Sequence, residues 1–238
     1  MKNFILYFFF FFALQINSQS FEGKLEYVVN TTTLGDTLIN GISKNNLIEN
    51  LKKQGEIPVD TITYMFTSKG NFLNIYKYKD IEIINTYLQK NNLLYRFVDN
   101  SSIVSAVDVS IDLEEILGNE PIITKKEKKE MVGEINCSIV EVVWKTGVYR
   151  YYYAEGLLSV NPDLFKNYKY DQFYEFLKIS HSLPIKLEKL VYNFYKSVYD
   201  LKAYNNEHID EELFVLPKMK ENKELGSMQL NKKIFIIK

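Results

Sequence analysis

Cysteine is nearly absent from this 238-residue chain: Cys137 is the only one. A single thiol excludes an internal disulfide, so the fold must be held by its core. Arginine is almost as scarce, with Arg96 and Arg150 alone, although Arg is the usual residue for bidentate phosphate contacts. Nor is there an excess of positive charge. The whole chain carries −1, and taking Lys2 from the 29 basic residues leaves 28 against 30 acidic ones. That balance argues against nucleic acid as a partner. Glycine-rich phosphate loops are missing, with no Gly-x-Gly-x-x-Gly and no P-loop, and no Gly-x-Ser-x-Gly elbow occurs. The longest apolar run, Phe4–Leu14, is shorter than the roughly 20 apolar residues that span a bilayer.

That run nevertheless has a reading. Lys2, the apolar stretch and the small residues Ser18 and Ser20 fit a secretory signal peptide, cut after Ser18 or after Ser20. No cysteine lies at Ser18, Gln19, Ser20 or Phe21 to accept a lipid. The expectation is an exported protein, periplasmic or on the outer surface, that is not lipid-anchored. Hydrophobic residues make up 46% of the chain, enough for a sizeable core. The 18 Tyr and 16 Phe, with abundant Asn and Lys, look like the drift of an AT-rich genome, so aromatic richness alone argues for no particular ligand.

Most of the chain reads as strands. Phe21, Leu25, Tyr27 and Val29 share the parity of a half-buried strand. Segments 61–67 and 71–78 flank Lys69-Gly70, segments 82–89 and 93–98 flank Lys90-Asn91-Asn92, and 103–107 adds one more strand. Segments 134–145 and 148–154 meet at Thr146-Gly147, and 184–191 with 195–203 makes a third long pair. Short connections of this kind imply an antiparallel meander. Two stretches read as helices: 43–53, with Ser43 as N-cap, and Pro162–Ile179, with Asn161 as cap and Pro162 in the first turn. Asp112–Leu117 suggests one further helical turn ended by Gly118. Lys125–Lys129 reads as a solvated turn. With no Pro/Gly/Ser linker, the expected organisation is a signal peptide over 1–20, one domain over 21–217, and a tail or last strand over 218–238.

Catalytic constellations are hard to assemble. His181 and His208 are the only histidines. His181 follows the 162–179 helix, where the macrodipole favours a cation, and no acid partner is placed beside it. His208 lies near Asp210, Glu211 and Glu212, but neither a zinc spacing nor a calcium loop is formed. Cys137 shares parity with Ile135 and Ile139, which predicts a buried thiol rather than a nucleophile. No enzyme activity, metal or cofactor is expected.

The second half carries an order of small signals: charged Lys125–Lys129, Gly133-Glu-Ile-Asn-Cys137, Trp144, Tyr151-Tyr-Tyr-Ala154, Leu183-Pro184-Ile-Lys-Leu-Glu188 and Asp210-Glu-Glu-Leu-Phe214-Val-Leu-Pro217. With Phe21–Tyr27 as a first strand after the signal peptide, this order resembles an uncharacterised family of exported Bacteroidetes proteins, DUF4412-like or GLPGLI-like. The resemblance covers 21–30 and 125–217; residues 31–124 depart from it, and His181-Ser182 replaces an expected glycine. Such proteins are similar in fold to the lipoprotein-carrier group (LolA, LolB and the LppX type). The resemblance implies an α+β fold, a curved antiparallel sheet forming an incomplete β-barrel, covered by one or two helices. It further implies an apolar pocket between sheet and helix for a lipid or lipoprotein acyl chain. Phe165, Phe173 and Phe176 are the candidate ligand-binding residues, because the aromatics of 162–179 spread beyond a single stripe. The rival reading is a non-enzymatic envelope scaffold or interaction module with a closed core and a protein partner. Oligomeric state is left open.

Overall fold

A computed structural model describes residues 20–238 except 36, 37, 40 and 227–230. The segment before Ser20, where a signal peptide is expected, lies outside the described residues. In chain order, β1 (Gly23–Thr33) precedes a small ribbon, β2 (Leu38–Ile39) and β3 (Ile42–Ser43), and then α1 (Lys44–Lys53). A meander follows: β4 (Asp60–Phe66), β5 (Phe72–Tyr78), β6 (Ile81–Leu88), β7 (Leu93–Val98) and β8 (Ile103–Asp108). The short α2 (Leu113–Ile116) leads to β9 (Ile122–Lys125), β10 (Glu130–Val132), β11 (Ile135–Val143) and β12 (Gly147–Tyr153). Next come 3-10 turns at Pro162–Phe165 and Tyr170–Gln172, then α3 (Phe173–Ser180). The chain closes with β13 (Lys186–Val191), β14 (Tyr195–Asn206), a 3-10 turn at Glu211–Phe214, β15 (Met219–Glu221), α4 (Lys223–Gly226) and β16 (Lys232–Ile237).

Apart from the β2–β3 ribbon, the strands form one 14-stranded antiparallel sheet in the order β10-β11-β12-β13-β14-β1-β4-β5-β6-β7-β8-β16-β15, with β9 also pairing β11. Its two ends do not pair with each other among the described residues, so the sheet is open. Residues from distant strands, Val140 and Tyr151 on one side and Ile83 and Tyr87 on the other, nevertheless share one buried cluster. A flat sheet cannot bring them together. The structure is thus the expected α+β open half-barrel, 47% strand and 17% helix.

The period-2 pattern of β1 does what it predicts: Leu25, Tyr27 and Val29 are all buried. They enter the main core on the concave side. Val143 pairs with Val148 across the Thr146-Gly147 turn, where Gly147 lets the backbone pass close to β13. A Cβ there would stand 2.3 Å from the Leu190 carbonyl oxygen. The Ser43 hydroxyl caps α1 by accepting from the Asn46 amide at 3.2 Å, and Gly118, at φ 79°, ends α2. Cys137 is fully buried with Ile139, Tyr152 and Ile185 on the opposite face of the sheet from Trp144.

Two expectations are corrected and one alternative is decided. The Lys125–Lys129 segment is not wholly a turn: Lys125 ends β9, and only 126–129 loop across to β10. Segment 232–237 is a strand paired with β8, the last-strand alternative of the two considered. The stretch 162–179 is not one helix. It breaks because Asp171 (φ 57°, ψ 18°) and Gln172 (φ 55°, ψ 30°) are left-handed in succession, a conformation that costs an L residue roughly 1–2 kcal/mol. Each is held by contacts far along the chain. The Asp171 carbonyl accepts from the Tyr151 hydroxyl at 2.7 Å, and the Gln172 amide donates to Glu115 at 2.8 Å.

Candidate functional site

Breaking the helix has a spatial result. The segment crosses the concave face as three short pieces, and a cavity of about 180 Å³ remains between it and the sheet. Side chains from β1, β4, β5, β6, β7, β12, β13 and β14 line the cavity floor, while Tyr168, Tyr170, Asp171 and Phe173 form its roof. The apolar part of the wall includes Ile62, Phe66, Phe72, Leu94 and Leu187.

The rest of the wall is polar. Lys189 on β13 pairs with Asp171, both side chains about a fifth exposed, 19% and 22%. The ammonium also lies 5.0 Å from the Tyr149 ring centroid, a cation–π distance. Burial disfavours a charged amine, but the Asp171 carboxylate beside it holds the Lys189 pKa well above the ordinary lysine value. On β7, Arg96 Nη1 lies 2.6 Å from Glu56, and its Nε donates to Asn85 Oδ1 at 2.9 Å. Asn85 in turn donates to Asn74 at 2.9 Å. Against the cost of burial, Arg96 and Lys232 hold the Glu56 carboxyl below its usual range. Two cations and two carboxylates thus line the cavity as close pairs.

Four phenols complete the site. The hydroxyls of Tyr64, Tyr168, Tyr170 and Tyr199 have no hydrogen-bond partner among the described residues, although all four residues line the cavity. None of these oxygens is sealed off; the sealed, unpaired side-chain atoms among the described residues are Trp144 Nε1 and Tyr153 Oη. Burial raises the pKa of Tyr64, Tyr168 and Tyr199, and the Asp171 carboxylate, followed by burial, raises that of Tyr170. All four therefore stay protonated at neutral pH. A phenol left dry and unpaired costs about 1–3 kcal/mol, so this wall favours a guest that can accept or donate hydrogen bonds.

Of the three phenylalanines singled out in the sequence, Phe173 is half-buried and lines the cavity. Phe165 and Phe176 do not line it. Phe176 is fully buried and stacked on Tyr151 at 4.5 Å. Phe165 is 1% exposed and meets Phe173 edge-on at 5.6 Å. These two are core residues that support the roof. Sequence reading missed Asn74, Asn85, Arg96, Lys189, Tyr64 and Tyr199, and counted Tyr168 and Tyr170 only among the aromatics of 162–179. The signal that could have found most of them is polar residues at core parity: Asn74 between Phe72 and Tyr76, Asn85 between Ile83 and Tyr87, and Arg96 beside Leu94.

Other groups lie elsewhere. His181 caps α3 at its C-terminal end with φ 48°, and His208, 82% exposed, sits 2.7 Å from Glu22. Asp210 caps the 211–214 turn by accepting from the Glu212 amide. Among the described residues no three His, Cys, Asp or Glu side chains converge as metal ligands, and no helix is long and apolar enough to cross a membrane. Burial pushes the Cys137 thiol pKa up.

No family model and no curated protein matches the sequence. Among solved structures, one titled "Structure of PNGF-II in C2 space group" aligns over 81% of this chain at 10% identity, with a TM-score of 0.31. The chain spans 29% of that structure's length.

Proposed function

We propose that this protein is an exported, non-enzymatic envelope carrier that holds a hydrophobic ligand, a lipid or part of an acyl chain, between its curved sheet and the 162–180 segment. The observation that carries this reading is the cavity roofed by Tyr168, Tyr170 and Phe173 and floored by apolar side chains of the sheet. Its 180 Å³ is close to the roughly 150 Å³ that encloses one benzene molecule in an engineered core. It therefore takes one end of an amphiphile or a ring-sized molecule, not a whole lipid. Each buried CH₂ contributes about 0.8 kcal/mol, so a short enclosed segment supplies a few kcal/mol after ordering costs. Export is supported by the charged, apolar and small-residue pattern over residues 1–20, and N-terminal sequencing of the cell-derived protein tests it: an intact Met1 refutes it. The resemblance to exported Bacteroidetes proteins agrees with the same reading.

The carrier reading is tested by mass spectrometry of small molecules extracted from the purified protein, together with titration of an uncharged fluorescent hydrophobic probe. Retention of an organic ligand, and saturable binding that is lost in Phe173→Asp while circular dichroism is unchanged, is the expected result. No extracted ligand and no saturable binding overturn it. The second reading, an interaction module with an envelope partner, is favoured by exposed apolar side chains around α2 and β9: Ile116 48%, Leu117 73% and Ile122 68% exposed. An empty, non-binding wild-type protein leaves that reading standing.

A further inference from the structure

We infer that the cavity receives the uncharged, oxygen-bearing end of its ligand, an alcohol, ester or amide group, rather than a bare chain end or an ionised head. This rests on the carrier reading and specifies which chemistry enters the site. Three observations carry it.

The first is the set of free hydroxyls. Tyr64, Tyr168, Tyr170 and Tyr199 line one small space, and their hydroxyls have no partner among the described residues. Tyr168 and Tyr199 are themselves only 6% and 8% exposed, so bulk water reaches them poorly. A methyl-terminated chain seated there would leave four hydrogen-bonding groups dry. An ester carbonyl, an amide or a hydroxyl would pair with them, and a phenol can both donate and accept.

The second is charge. Lys189 is matched by Asp171, and Arg96 by Glu56, which Lys232 also reaches at 3.3 Å from outside the cavity lining. Both pairs stand at the cavity wall, so the site is close to neutral before any ligand enters. A carboxylate or ammonium head would bring in an uncompensated charge, or would have to displace the partner already on Lys189 or Arg96. Either alternative leaves a charge unpaired in a poorly hydrated space.

The third is position. Asp171 holds Lys189 from a left-handed turn that also receives the Tyr151 hydroxyl on its carbonyl. The ion pair is thus pinned from two sides and is part of the wall, not a mobile counter-ion awaiting a ligand.

The test uses the full chain as exported and three probes of equal chain length: hexan-1-ol, hexanoate and hexylammonium, titrated calorimetrically at neutral pH. Hexan-1-ol is expected to bind at least tenfold more tightly than either ion. In the Tyr64→Phe/Tyr199→Phe variant its affinity should fall at least tenfold, with unchanged circular dichroism. Hexanoate or hexylammonium binding as tightly as the alcohol, or an alcohol affinity untouched by the two substitutions, overturns the inference while leaving the carrier reading in place. Should a Tyr variant fail to fold, the comparison of the three probes on wild type decides alone. Binding of none of the three probes to wild type, together with an empty extract, overturns both.

Discussion

Alkaline unfolding should be abrupt. Tyr27, Tyr76, Tyr87, Tyr151, Tyr168 and Tyr199 are each no more than 8% exposed, and burial raises the pKa of every one, that of Tyr76 to about 12. The folded state keeps these six protons where the unfolded chain, with phenol values near 10, releases them. Stability is therefore insensitive to these groups below about pH 10 and falls as pH rises above it, by roughly 1.4 kcal/mol per pH unit for each phenol. About one unit above the unfolded value, the six together remove about 8 kcal/mol, comparable with the 5–15 kcal/mol that separates native from unfolded domains. Lys189 acts in the same direction. Its folded pKa is raised, so the stability it gains from Asp171 is complete at neutral pH and lost only as the amine titrates on the alkaline side. The assay is phenolate ultraviolet absorbance and far-ultraviolet circular dichroism followed together along a pH series. Phenolate signal from the buried tyrosines should rise in one cooperative step that coincides with loss of the sheet signal. A broad titration centred near pH 10 in a protein that stays folded would refute the reasoning.

Phe176→Asp puts an unpaired carboxylate where a ring stacks on Tyr151 and should cost more than the roughly 3–5 kcal/mol of a Phe→Ala core truncation, read as a collapsed denaturant midpoint. Phe173→Asp, at the half-buried roof, should cost far less stability and chiefly abolish ligand retention; equal losses from the two would contradict the distinction. Cys137 should react with thiol reagents slowly in the native protein and rapidly after unfolding, because it is buried and its thiol pKa is raised; fast native labelling would refute its burial. Gly147→Ala places a methyl group 2.3 Å from a backbone oxygen that cannot swing away. It should lower stability by about 1–3 kcal/mol, and a neutral effect would mean that the β12–β13 approach is looser than described.

The strands that could be read from sequence are those whose two faces differ in environment. β1 alternates because one face meets the core and the other meets solvent, and the hairpins reveal themselves through turn residues such as Thr146-Gly147. β9 and β10 lie at the sheet margin, where neither face is deeply buried, so no periodicity marks them. The 162–180 segment misleads for a related reason. Its aromatic spread suggests a helix buried on two sides, but the rings fit a stretch that changes direction at Asp171 and Gln172. The features that force the turn, the hydroxyl of Tyr151 and the carboxylate of Glu115, come from elsewhere in the chain. The polar half of the site was hidden in the same way. Asp171 finds Lys189, and Arg96 finds Glu56, only once the sheet curves, though the parity of Asn74, Asn85 and Arg96 already set them among core residues.

The place of β1 in the sheet has a kinetic consequence. The strands from β4 to β8 pair with sequence neighbours, and so do β11 with β12 and β13 with β14. The two meanders are joined through β1, whose Tyr27 pairs with Leu201 of β14 on one side and with Ile62 of β4 on the other. The β1–β14 seam is the pairing with the widest sequence separation, so its loop-closure entropy must be met before the two halves can share a core. Each meander can form hairpins early, while the cavity, whose walls come from both, exists only after the seam closes. Pulse-labelled hydrogen exchange during refolding should find the amides of β1 facing β14 protected last; protection of that seam ahead of the local hairpins would contradict this order. A ligand seated between the halves would then act as a clasp across the seam, slowing its reopening more than it slows the fraying of either meander.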